Sequence, residues 1–185
     1  MHANLLIVSD LHFGEDLLPG ASVEKQRAVA LGASAFCELL RYHGQRRLEG
    51  RPWRLVVAGD LFDFMAVRGG PVPGRTASID ERRYGPRRSV GLGAARMAQI
   101  GAAHREVLAA LMRFASAGHE IDLIVGNHDI ELLEEATVAE LRAQLVAAAG
   151  GGEQAAAAVQ RIRVQPWFLH LPGVAWIEHG HVYDE

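Results

Sequence analysis

A chain of 185 residues with a net charge of −3 and one cysteine, Cys37, is long enough to enclose one core and cannot form an internal disulfide. Its hydrophobic fraction of 49% and mean hydropathy of +0.04 are ordinary for a globular domain, and no apolar run approaches the roughly 20 residues that cross a bilayer. A slightly acidic balance gives no general attraction to nucleic acid, so polyanion binding has to come from a local patch.

One α/β domain over residues 1–185 is the expectation. Residues 4–9 are apolar without alternation, as in a strand covered on both faces of a parallel sheet. The start of this strand within a few residues of Met1 leaves no room ahead of it for a basic and apolar leader, and a cytoplasmic location is expected. Ser22 suits the N-cap of a long helix over 23–42, whose apolar face is expected to run through Val23, Ala30, Leu31, Ala35, Leu39 and Tyr42. Cys37 falls on that helix among apolar neighbours and is expected to pack rather than react. Residues 53–58 read as the next strand and close a right-handed βαβ crossover.

From about 66 to 93 the text is broken by Gly69-Gly70-Pro71, Pro73-Gly74 and Gly85-Pro86. So long an irregular insertion is commonly a solvated loop or a functional one. It also carries Arg68 and Arg75, but Arg82, Arg83, Arg87 and Arg88 are the candidate contacts for a substrate phosphate, through bidentate guanidinium bonds. A second helix is expected over 94–117 with Met97, Ile100, Val107, Leu108, Leu111, Met112 and Phe114 as its core face and Gly118 as its stop. His104 and His119 have no motif around them and are expected to be satisfied or surface histidines. A strand at 121–125, helical segments to 133, over 138–149 and over 153–159, and short strands at 162–165 and 174–177 complete the reading. The alternation of element types predicts α/β.

Four of the strand-like runs end in polar groups of one kind. These are Asp10-Leu11-His12, Gly59-Asp60-Leu61-Phe62-Asp63, Gly126-Asn127-His128-Asp129 and Glu178-His179-Gly180-His181. Ligands of open α/β sheets collect at the carboxyl ends of strands, where diverging loops leave a crevice. If the four runs share that rim, Asp10, His12, Asp60, Asn127, His128 and His179 converge. Carboxylate, amide oxygen and imidazole together suit Mn, Fe, Zn or Co, and the lack of thiolates argues against a structural zinc. A bridging carboxylate would hold two such ions roughly 3.5 to 4 Å apart.

Those four motifs, in that order, resemble the signature of the calcineurin-like metallophosphoesterases. The resemblance spans nearly the whole chain. It implies a four-layer α/β/β/α sandwich and a phosphate ester or pyrophosphate bond cleaved by metal-activated hydroxide, with two divalent ions, Mn, Fe or Zn. Asp60 would bridge, Asp10 and His12 would hold the first ion, and Asn127 and His179 the second. His128 would be the general acid, with Asp63 oriented toward its other ring nitrogen. A phosphorylated small molecule or lipid-linked substrate is the implied partner, and nucleic acid is disfavoured. Asp63 stands where purple acid phosphatases have Tyr. Val125 and Phe64 stand where protein Ser/Thr phosphatases have Arg, and His128 where the UDP-diacylglucosamine hydrolases have Arg. The family's Gly-His-X-His is absent, leaving three ligands per ion. A longer parent chain is therefore expected, with weak metal binding and low activity for this stretch alone. His181 and Asp184 are further candidate ligands. The alternatives are a non-catalytic scaffold of the same fold and a nuclease of the same superfamily.

Overall fold

The computed structural model describes residues 3–67 and 92–183. Four strands, β1 (Asn4–Val8), β2 (Trp53–Ala58), β3 (Glu120–Ile124) and β4 (Ile162–Gln165), form a parallel sheet in the order β1-β2-β3-β4. The register pairs Val8 with Val57, Ala58 with Ile124 and Ile124 with Gln165, so the carboxyl ends line up along one rim. A chain that adds parallel strands in spatial order through crossovers of one hand leaves its helices on one face. Helices α1 (Val23–Gly44), α2 (Leu92–Ala103), α3 (Arg105–Ser116), α4 (Glu135–Ala148) and α5 (Gly152–Val159) accordingly share one apolar cluster with Leu55, Val57, Ile121 and Leu123.

Strand residues alternate between faces. Val56, Ala58 and Ile124 point the other way and meet Leu169 and Ile177 of an antiparallel hairpin, β5 (Phe168–Leu171) and β6 (Ala175–Glu178). The described residues thus build three layers: helices, parallel sheet and hairpin. On the outer side of the hairpin Phe168 stacks on Trp176 at 3.9 Å, and Trp167 and Trp176 remain more than half exposed. Between the sheet and solvent on this second face lies Asp122, fully buried, which accepts from Arg54 Nε (2.7 Å), Arg163 Nε (3.1 Å) and Gln165 Nε2 (2.7 Å). Burial opposes its ionisation, but the bonds from Arg163, Arg54 and Gln165 outweigh that and hold its carboxyl below the usual range.

Several expectations are corrected. The face of α1 that packs is Val29, Phe36 and Leu40 with Ala33, Cys37 and the expected Leu39 beside them, while Val23, Ala30, Leu31, Ala35 and Tyr42 are exposed. Val29, Ala33, Phe36, Cys37 and Leu40 keep the i, i+4, i+7, i+8, i+11 spacing of one stripe, and Leu31, Ala35, Leu39 and Tyr42 form a second stripe of like spacing. Cys37 is half-buried as expected, and burial pushes its thiol up. The single helix over 94–117 divides at His104, which leaves helical geometry (φ −110°, ψ 35°), bonds Asp16 Oδ1 through Nε2 at 2.9 Å and lies against the Phe13 ring. Strand β5 was not expected. In β1, Ile7 is half exposed, so the sheet is not covered on both faces along its edge. His119 is buried and satisfied, accepting from the Trp53 amide at 3.1 Å and facing the Gly44 carbonyl at 3.2 Å. Of the irregular insertion, Ala66 and Val67 are core residues and Leu92 and Gly93 open α2; Arg82, Arg83, Arg87 and Arg88 lie outside the described residues.

Candidate metal centre

Strands β1, β2 and β3 hand their chain to loops at the same rim, and the loops are tied together before any ligand is considered. The amides of Asp10, Leu11 and His12, just past β1, donate to the carbonyls of Gly59 and Asp60, just past β2 (2.9 to 3.3 Å). The Phe13 amide donates to the Leu61 carbonyl at 3.0 Å, and the Phe13 carbonyl accepts from the Asp63 amide at 2.9 Å. The Phe64 amide donates to the His128 carbonyl at 3.1 Å, linking the β2 loop to the β3 loop. These links hold the backbone in costly shapes. Asp10, His12 and Asp60 all have positive φ (56°, 48° and 54°), a region that costs a side-chain-bearing residue about 1–3 kcal/mol. Among the described residues only Glu49 shares it. Three of the expected ligands are therefore held where stability alone would not put them.

Asp60 is the centre of the arrangement, with its side chain 3% exposed. Its Oδ1 accepts from the His128 amide at 3.0 Å. Its Oδ2 lies 3.3 Å from His179 Nε2 and 3.7 Å from His12 Nε2. His12 Nε2 is also 3.9 Å from Asp10 Oδ1. His179 reaches in from the end of β6 because position 59 is glycine: a Cβ there would overlap the imidazole. Position 126 is glycine for a like reason, since a Cβ would overlap the Asp60 carboxylate.

The donor set fits a divalent ion. His179 Nδ1 lies 2.9 Å from the Ala58 carbonyl, which selects the tautomer with a proton on Nδ1 and a free lone pair on Nε2. That lone pair faces Asn127 Oδ1 at 3.0 Å and Asp60 Oδ2 at 3.3 Å. With the neutral ring in that tautomer, three acceptor atoms converge on one point, an arrangement that a cation among them would satisfy. The first group, Asp10, His12 and Asp60, likewise has ligand atoms within 4.8 Å of one another. Nitrogen and oxygen donors of this kind suit borderline and hard first-row ions.

His128 and Asp63 stand beside this cluster. Asp63 is buried, its Oδ1 accepts from the Ala66 amide at 3.0 Å, and its Oδ2 lies 3.3 Å from His128 Nδ1 and 3.9 Å from His12 Nδ1. The approach to His128 lacks the alignment of a formed hydrogen bond, and among the described residues the buried His128 Nδ1 has no partner. One carboxylate thus faces two imidazoles whose rings meet edge to face at 4.6 Å. His181 lies beside His179, ring centres 5.2 Å apart; among the described residues the close sets of His and carboxylate ligand atoms are Asp10-His12-Asp60 and His12-Asp63-His128, and His181 is in neither. Asp184 lies outside the described residues.

One residue of the Gly126–Asp129 stretch had no role in the sequence reading. Asp129 is fully buried and accepts from the Gly126 amide on Oδ1 (2.7 Å) and from the Leu61 (2.9 Å) and Phe62 (3.5 Å) amides on Oδ2. Burial, together with the nearby Asp60 carboxylate and against the pull of those amides, pushes its carboxyl up to about 6. The signal for it is a third polar residue in a row where the apolar run resumes at Ile130.

No protein-family model, curated protein or solved structure matches the chain.

Proposed function

We propose that the protein is a metal-dependent phosphoesterase of the calcineurin-like class, cleaving a phosphate ester or pyrophosphate bond in a phosphorylated small molecule or lipid-linked substrate. The observation that carries this reading is the convergence of Asp10, His12, Asp60, Asn127 and His179, from four separate strand ends, around the single carboxylate of Asp60. A four-layer sandwich and a cytoplasmic location belong to the same proposal.

Two divalent ions at these residues would supply positive charge to the phosphoryl oxygens and acidify water beside them. The protein's own groups do the rest. Asp60, shared between the two ligand groups, fixes their spacing. His128, part-exposed beside the cluster with Asp63 on its Nδ1 side, is placed to give a proton to the leaving oxygen from Nε2. Asp63, with Oδ2 3.3 Å from His128 Nδ1, faces the ring on the side away from that proton. The near-complete burial of Asp60 and His179 keeps bulk water from competing for their oxygens and nitrogen.

The test is hydrolysis of an aryl phosphate with added Mn²⁺ and its loss in His128→Ala. Turnover is expected to fall by about 10²- to 10⁴-fold with bound metal unchanged. Turnover equal to that of the wild type would remove His128 from the chemistry.

A further inference from the structure

Resting on the metal reading above, the geometry points to Asp129 as a positioning residue that sets the separation of the Asp60 and Asn127 loops, and through it the affinity for the ion held by Asp60, Asn127 and His179. Two carboxylates are exchanged between these loops. Asp60, on the β2 loop, accepts from the His128 amide on the β3 loop; Asp129, on the β3 loop, accepts from the Leu61 and Phe62 amides on the β2 loop. The remaining oxygen of Asp129 closes its own loop by accepting from Gly126. Asp129 therefore engages three amides, one or two residues from Asp60 on one side and one residue from Asn127 on the other.

The site asks for a carboxylate in particular. Three backbone N–H groups point at two oxygens, and none of the three has room to turn away in a fully buried pocket. An amide side chain would present an NH₂ to at least one of these donors, so either the Gly126 closure or the tie to Leu61 and Phe62 is lost. A buried carboxylate next to Asp60 is also electrostatically unfavourable, and its burial lacks a cationic partner among its bonded neighbours.

The two ligand groups depend on this lock unequally. Asp10 and His12 are bonded to the carbonyls of Gly59 and Asp60, so their loop moves with the β2 loop as one body. Asn127 sits across the seam that Asp129 bridges. Loosening the lock shifts Asn127 relative to Asp60 and leaves Asp10, His12 and Asp60 together.

The experiment is a stepwise Mn²⁺ titration, read by calorimetry and by the electron paramagnetic resonance of free and bound Mn²⁺, on the wild type, Asp129→Asn, Asp129→Glu and Val29→Ala. Val29, on α1 and away from the rim, is the control for general loss of stability. Asp129→Asn is expected to weaken one binding step about 10- to 100-fold, as for loss of other supports behind ligands, and to leave the other step near its wild-type value. Val29→Ala is expected to lower the melting temperature and leave both steps in place. Should Asp129→Asn fail to fold, Asp129→Glu decides: it keeps the charge but displaces it by one methylene, and the same single step is expected to weaken. Wild-type affinities in the variant that folds, or equal weakening of both steps, would overturn the role of Asp129 alone. A wild-type protein that takes up no Mn²⁺ would overturn the metal reading and this inference with it.

Discussion

The two ligand groups that share Asp60 are built to different degrees. On the β6 side, His179 is 9% exposed, its tautomer is set by the Ala58 carbonyl, and its Nε2 already lies 3.0 Å from Asn127 and 3.3 Å from Asp60. On the β1 side, the Asp10 side chain is 57% exposed, and His12 Nε2 stands 3.9 Å from Asp10 and 3.7 Å from Asp60. The His12 ring also shares the Asp63 carboxylate with His128. One group has the lower ordering cost and a nearly buried imidazole, although its Asn127 is exposed; the other has its backbone strain in place but an open, solvated carboxylate. Preorganisation of this kind sets affinity, because the cost of collecting the ligands has been met in folding. The β6 side is therefore expected to fill first and to release its ion last.

The largest effect tests what the two groups have in common. Asp60→Asn removes a charge from both, and metal binding should weaken by at least about 100-fold at each step, beyond the range seen when a supporting residue is lost. Retention of either ion at wild-type affinity in that variant, measured by equilibrium dialysis, would separate the two groups and end the bridging assignment. The next effect sharpens the difference between them. His179→Ala should abolish the tighter step and Asp10→Ala the weaker one, read as which of two transitions disappears from a Mn²⁺ titration. The reverse assignment would show that exposure, not preorganisation, governs the site.

The smallest effect lies outside the centre and calibrates it. Burial holds the His119 imidazole below its ordinary value, with the Gly44 carbonyl acting against that and Arg47 with it. The folded protein thus binds this proton less readily than the unfolded chain. Its contribution to stability is full above the unfolded value near 6.5, and is lost as the pH falls below it. The melting temperature should drop on acidification from about pH 7.5 to 5.5. The drop should be shallower in His119→Gln, which keeps a donor and an acceptor but takes up no proton. An equal slope in both would mean that His119 does not carry the acid sensitivity.

How much of this was legible in the sequence follows from where the information sits. Asp10, His12, Asp60 and Asn127 follow apolar runs whose ends a parallel sheet brings to one rim, whereas His179 follows β6 of the antiparallel hairpin and reaches that rim only because the hairpin packs on the sheet. The β1 to β4 runs were readable for the same reason. The stripe of α1 was not: with alanines at 28, 30, 33 and 35 the helix offers several apolar faces, and the choice among them is made by Phe36 meeting Phe13. The break at His104 depends on Asp16, 88 residues earlier, which no local pattern records. Strand β5, four residues long, is defined by its partner β6 rather than by its own alternation. Asp129 was in plain view but its partners, the amides of Leu61 and Phe62, are nearly 70 residues away.

The most direct measurement is the low-temperature electron paramagnetic resonance spectrum of the protein with saturating Mn²⁺ and excess metal removed. Two ions joined through the Asp60 carboxylate should give the exchange-coupled spectrum of a manganese pair, and Asp60→Asn should abolish it. A spectrum of isolated six-line Mn²⁺ in the wild type, or no bound manganese at all, would contradict a bridged two-ion centre at this rim.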